Sequence, residues 1–199
     1  GVELGCHGVE RAGDEKARRL AREDCHVEQR GGDFAAEERG LDACRALLNA
    51  NNAPELPVTA QVNTLKTSTD ALFERLSLEG IETERHSWMP DCLYLWHTGR
   101  VDGISAFREG LFYVQDTASR LAVIASGAEP GMEVLDCCAA PGGKSFAAAI
   151  QMRNEGHITA CDIGAKKMPR ITQGAERLGL DILSVLQGDA KHPREEFLG

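Results

Sequence analysis

"VLDCCAAPGGKS", Val134 to Ser145, is the stretch on which the reading of this chain turns. An apolar, strand-like start runs into small residues, two glycines and a lysine. A helix-forming run, "GGKSFAAAIQMRNEG", follows directly. Small residues between a strand and a helix serve either a tight turn or the close approach of backbone to a ligand. The helix that opens there presents unpaired N–H groups.

One candidate ligand is a nucleotide phosphate. Cys138 to Ser145 matches the phosphate-loop pattern G-x-x-x-x-G-K-[ST] at every fixed position except the first, where Cys138 replaces glycine. That glycine lets consecutive N–H groups wrap a phosphate. Here Cys138 and Pro141 stiffen the loop, and Pro141 removes a donor. No acid of the kind that holds a phosphate-bound magnesium stands out on a later strand. The alternative is a nucleoside cofactor, held by a glycine loop after one strand and by acids after the next ones.

Working outward, the chain supplies those acids. "HITACDI" reads as a second strand ending in Asp162, which follows Gly143 by 19 positions. That is the distance at which a carboxylate meets ribose hydroxyls in such folds. "KKMPRITQGAERLGL" reads as a helix weakened by Pro169 and Gly174. "DILSVLQGD" is a third strand, and Asp189 ends it. Strand, helix, strand, helix, strand with short loops gives a parallel, right-handed, doubly wound half-sheet. No G-x-G-x-x-G is present, which speaks against a dinucleotide. Plainer roles stay open. Asp162 could cap the next helix, Asp189 could be a turn residue, and Lys144, where the helix dipole disfavours a cation, could be solvated or face an anion.

Upstream, "TASRLAVIASG" reads as a helix with Asp116 as N-cap, Gly127 as stop, and Leu121, Ile124 and Ala125 as its apolar face. Before it, "VTAQVNTLK" is a strand. Ser68 to Gly80 is a helix whose face is Leu72, Phe73 and Leu76. "IETERHSWMPDCLYLWHTG" holds one or two strands around Pro90. This is a β-α-β arrangement, a small α+β module over residues 45–115, with the half-sheet domain over residues 116–199. Leu41, Cys44, Leu47 and Leu48 mark a short amphipathic helix. Residues 1–44 are charged, glycine-punctuated and weakly periodic, and carry no assignment.

Bulk properties limit the partners. The net charge of −9 excludes nucleic-acid binding over the whole surface but not through a local basic groove. No apolar run approaches a membrane span, and the first residues lack a secretory pattern, so a cytoplasmic protein without membrane contact is expected. The cysteines number seven, an odd count without a C-x-x-C pair, so reduced thiols and no metal site are expected. Cys137, at a strand position, and Cys161 are expected to be buried.

"LDCCAAPGGKS", then "ACDI", then "QGDA", preceded by "GLFYVQDTASRLA", resembles the Sun family of RNA cytosine-5 methyltransferases, with its bacterial 16S ribosomal RNA type nearest. The similarity runs from about Leu47 to Gly199. It implies an α/β fold: the first three parallel strands of a Rossmann-like domain that binds S-adenosylmethionine (SAM), preceded by an RNA-recognition-like α+β module. It implies that Cys138, Ala139, Ala140, Pro141, Gly142, Gly143 and Lys144 cradle the methionine end of SAM. It assigns Asp162 to the ribose hydroxyls, Asp189 to the adenine amino group, and Lys167 to an approach to the cofactor. The implied partner is RNA, ribosomal in the nearest type.

Family chemistry uses two cysteines, one to attack C6 of the target cytosine and one to help release the product. They lie in "PCSG" and "TC" segments after the fourth and fifth strands, and neither segment occurs in this chain. No catalytic residue is therefore expected here, and the chain alone is expected to be inactive. A non-catalytic RNA- or SAM-binding module and a phosphate-loop protein are the competing readings.

Overall fold

The structure, a computed structural model, describes residues 56–192 and, before them, Ala43 and Ala46, both helical and exposed. The expectations for residues 1–44 and for the rest of the helix around Leu41 to Leu48 lie outside the described residues.

The first sheet is built from β1 (Val58–Val62), β2 (Glu82–Arg85), β3 (Cys92–Trp96) and β4 (Phe112–Val114). Its order is β2-β3-β1-β4, antiparallel throughout. Helix α1 (Thr69–Leu78) connects β1 to β2. The short α2 (Ser105–Arg108) lies between β3 and β4. This β-α-β-β-α-β path is the ferredoxin-like arrangement. The expectation of a strand, a helix and one or two further strands thus caught the path as far as β3 and missed α2 and β4. Alternation explains the core: Ala60, Val62, Leu93, Leu95 and Phe112 point to one face and pack on Leu72 and Leu76 of α1. Ser68 caps α1 by accepting a hydrogen bond from Ala71 N–H at 3.2 Å, and Gly80 follows with a positive φ of 76°.

Helix α3 (Thr117–Ser126) starts where Asp116 accepts from Ser119 N–H at 2.8 Å and ends at the left-handed Gly127. Its buried face differs from the expected one. Val123 is the buried residue, whereas Leu121 (43% exposed), Ile124 (47%) and Ala125 face outward. Arg120 of this helix donates to Gln151 Oε1 at 3.2 Å.

The second sheet has three parallel strands in sequence order, β5 (Glu133–Asp136), β6 (His157–Asp162) and β7 (Leu183–Gln187). Helices α4 (Gly143–Gln151) and α5 (Met168–Leu178) make the crossovers. Right-handed crossovers between successive neighbours put both helices on one face. Phe146, Ala147 and Ile150 of α4 form the core there with Ile158, Ile171 and Leu178.

Pro169 does not weaken α5, because it sits in the first turn, where its missing N–H has no intrahelical partner. Gly174 lies against the Phe146 ring: a Cβ there would come within 2.4 Å of Cζ.

Both sheets belong to one compact unit, Glu55–Gly199, and share a tight seam. Asn63 Nδ2 donates to the carbonyls of Gly110 and Leu178, each at 2.9 Å. Lys66 Nζ donates to the carbonyls of Glu109 (3.1 Å) and Arg177 (2.9 Å). The Arg177 guanidinium sits 3.8 Å above the Phe107 ring and donates to the carbonyls of Phe107 and Phe112. Burial pulls its pKa down to about 10.

Candidate cofactor site

The carboxyl ends of β5 and β6 create the site. Strand β5 ends at Asp136, whose two oxygens pin the following loop. Oδ1 accepts from Cys138 N–H at 3.2 Å, and Oδ2 accepts from the buried Ser145 hydroxyl at 2.7 Å. The loop is tied to β6 as well, since Ala139 N–H donates to the Cys161 carbonyl at 2.9 Å. The Ala140–Pro141 bond is cis. Gly142 then takes a φ of 116°, open only to glycine at low cost, and caps α4. A Cβ on Gly142 would also stand 2.3 Å from Phe146 Cζ.

Asp162, at the end of β6, is buried and holds the neighbouring loop from the other side. Oδ2 accepts from Ala140 N–H at 3.1 Å, and Oδ1 accepts from Gly164 N–H at 2.8 Å. The Gly164 hydrogen bond contributes most to holding its carboxyl below the usual range. The Ala140 bond and the Lys167 ammonium add to it, and desolvation opposes. Asp162 therefore does not cap the helix that follows; it clamps the glycine loop. The Gly188 N–H donates to the Asp162 carbonyl at 3.1 Å, which brings the end of β7 alongside. Asp189 follows, with Oδ1 accepting from Lys191 N–H at 2.9 Å. Cys138, Ala139, Ala140, Pro141 and Gly142 thus form one loop and Gly143 and Lys144 open α4 after it, with Asp162 directly against the loop. Lys167 is electrostatically coupled to Asp162, and Asp189 lies one strand further along.

Cys161 is buried, as expected. Cys137 is not: it lies one residue past β5 and is exposed, as is Cys138. The strand ends at Asp136 because that carboxylate turns the chain, and the outward-facing thiol follows. Cys92, buried in the first sheet, has its thiol pushed up to about 11 by desolvation, against a hydrogen bond from Gln61. The sequence reading did not single out Asp136, which pins the loop; an acid closing the first strand was the available signal.

Besides Asp136, Asp162 and Asp189, the carboxyl-end loops of the second sheet carry a set of cations. Lys144, Lys166, Lys167, Arg170 and Lys191 all sit in or just after the loops at the carboxyl ends of its strands, and all are exposed. Among the described residues none of the five forms an ion pair. The loops at the opposite ends carry Glu129, Glu155 and Asp181 against Arg153, and Glu133 opens β5 there. Three of the cations open helices, where the dipole opposes them. Among the described residues no group of His, Cys, Asp and Glu could hold a metal, and no helix is long and apolar enough to cross a membrane.

A glycine loop between the first strand and first helix of a parallel sheet, clamped by the acid that ends the second strand, defines the class: a Rossmann-like methyltransferase fold, here behind a ferredoxin-like domain. Comparison with known proteins gives the family. The model described as "16S rRNA methyltransferase RsmB/F" matches residues 123–199, and a "Methyltr_RsmF/B-like, ferredoxin-like domain" matches residues 37–102. The chain belongs to the RsmB/F methyltransferase family.

A probable ribosomal RNA small subunit methyltransferase B of Bacillus subtilis is 33% identical over 92% of this chain and 40% of its own length. The Pseudomonas syringae ribosomal RNA small subunit methyltransferase B is 35% identical over 77% of this chain and 34% of its own. Among solved structures, PH0851 aligns with a TM-score of 0.74 at 32% identity, covering 87% of this chain and 38% of that one. A methyltransferase homolog from Pyrococcus horikoshii aligns with a TM-score of 0.68 at 30% identity, covering 77% and 50%. The chain thus spans well under half the length of the curated relatives it matches.

Proposed function

We propose that this chain supplies the cofactor pocket and part of the RNA-facing surface of an enzyme that methylates C5 of a cytosine in 16S ribosomal RNA, with SAM as donor. The observation that carries the reading is the loop from Cys138 to Lys144 clamped between Asp136 and Asp162. The fit to SAM is specific. Gly142 and Gly143 leave room at the helix start, where N–H groups suit a carboxylate. In this reading Asp162, buried at the end of β6, holds the ribose hydroxyls, and Asp189, after β7, takes the adenine amino group. Bound there, the cofactor supplies a methyl group on a sulfonium. The protein's part is to hold the amino-acid end at the start of α4 and to fix the ribose with Asp162.

The set of cations supports an RNA partner. SAM carries two positive groups and one negative, so it gives no reason for five cations around its site; a phosphate backbone does. The two reactive cysteines of this chemistry belong to segments that this chain does not contain.

Calorimetry with SAM, its demethylated product and ATP tests the reading. The two adenosyl ligands are expected to bind and ATP is not. ATP binding abolished by Lys144→Ala would replace the reading with the phosphate-loop one. The chain alone is expected to transfer no methyl group to 16S RNA, whereas a longer chain carrying the "PCSG" and "TC" segments does. Transfer by the 199-residue chain would show that its own thiols suffice.

A further inference from the structure

The start of α4 offers donors, yet the amino-acid end of a SAM-like ligand is a zwitterion. Its carboxylate suits the N–H groups, but its ammonium is repelled by the same helix terminus and needs an acceptor. The carboxylates nearest the loop have other work: Asp136 accepts from Cys138 N–H and the Ser145 hydroxyl, and Asp162 accepts from Ala140 N–H and from Gly164 N–H after β6 and is the group assigned to the ribose.

Beside the start of α4 lies a buried acceptor with no partner among the described residues. Gln115 is 7% exposed, and its Oε1 has no hydrogen-bond partner. Buried amide oxygens without partners are rare and costly, so each calls for an explanation. Its carboxamide lies against the first residue of α4, with Nε2 3.2 Å from the point a Cβ on Gly143 would occupy. The second glycine of the loop therefore makes room for this side chain. Nε2 makes no hydrogen bond among the described residues either, so turning the amide breaks nothing and sets the oxygen on the side of Gly143, where a ligand at the start of α4 can reach it.

The placement of Gln115 is fixed from the first sheet. Its N–H donates to the Thr59 carbonyl at 3.2 Å, and its carbonyl accepts from Gln61 Nε2 at 3.2 Å. The buried Gln61 is itself left with an unpartnered Oε1. The ferredoxin-like sheet thus delivers one polar side chain to the cofactor loop.

We propose that Gln115 is a binding residue of the cofactor site, whose side-chain oxygen accepts a hydrogen bond from the α-ammonium of the ligand's amino-acid end. The inference rests on the SAM reading of the loop. Its test compares two probes on the full chain: S-adenosylhomocysteine, and 5′-methylthioadenosine, a nucleoside thioether without the amino-acid end. Gln115→Met removes the acceptor at similar size. It is expected to weaken S-adenosylhomocysteine about five- to twentyfold and to leave 5′-methylthioadenosine within about twofold. Gln115→Glu keeps an acceptor and is expected to hold S-adenosylhomocysteine within about threefold of the unaltered chain. Equal losses for both probes, or no loss for either, would overturn the role of Gln115 and leave the SAM reading standing. Failure of the unaltered chain to bind either probe would sink both.

Discussion

Asp162 does two jobs with one carboxylate, and its two oxygens can be separated by experiment. Oδ1 serves Gly164 N–H and Oδ2 serves Ala140 N–H. Asp162→Asn keeps one acceptor and turns an NH2 group toward a second N–H. The substituted chain is expected to lose about 1–3 kcal/mol of stability at neutral pH. Cofactor affinity should fall at least about tenfold, since the loop loses its clamp and the ribose its carboxylate. The sign of the pH dependence follows from the direction of the shift. The folded carboxyl titrates below its ordinary value, so its contribution is complete above about pH 4 and is lost as pH falls through the folded value. Denaturant unfolding of both chains should therefore show a gap at pH 7 that narrows steadily below pH about 4. A gap that stayed constant down to pH 2.5 would remove the carboxylate charge from the account.

At the scale of elements, the helices carry the site by packing on one aromatic ring. Phe146 stands in α4 with Gly142 before it, Gly174 of α5 across from it, and the Tyr113 ring 6.4 Å away, edge to face. Helix propensity alone favours Gly174→Ala by about 1 kcal/mol. Packing opposes it, because the new Cβ would meet Phe146 at 2.4 Å and the ring cannot retreat toward Gly142. Overpacking of this kind costs about 1–3 kcal/mol. Gly174→Ala is expected to lower the thermal midpoint, and a rise would show that the ring has another place to go.

The same packing separates what could be read in the sequence from what could not. The glycine loop, Asp162 and the three parallel strands are local patterns, set by residues close in the chain. Helix α2, four residues long, and β4, three residues long, were missed because neither spans enough residues to show a period. The outward face of α3 was misread because the partners of a helix decide which side of a broadly apolar run is buried. Gln115 was invisible because its neighbour, Gly143, is distant in sequence and is brought to it only by the meeting of the two sheets.

That meeting is the feature of the whole molecule with the clearest consequence. The seam relies on backbone carbonyls presented by Gly110, Arg177 and Leu178 to Asn63 and Lys66, with Arg177 answering across Phe107. Gly110 is its tightest point. It has a φ of 75°, and a Cβ there would stand 2.0 Å from the Arg177 carbonyl oxygen. The close approach is backbone to backbone, so no rotamer change relieves it. Gly110→Ala is expected to cost about 2–4 kcal/mol. Gly103→Ala, where nothing lies within 4 Å and φ is not positive, is the matched control and should stay within about 0.5 kcal/mol.

Both tryptophans, Trp88 and Trp96, belong to the ferredoxin-like part, so their emission reports that part alone, whereas circular dichroism reports both sheets. In urea the two signals should coincide for the unaltered chain, because the seam couples the sheets into one transition. They should separate for Gly110→Ala, with the dichroism losing part of its amplitude at lower urea than the emission. Coincident signals at a lowered midpoint would mean that the seam stabilises the chain without being what joins its halves. Unchanged unfolding would mean that the close approach at Gly110 is not part of the fold.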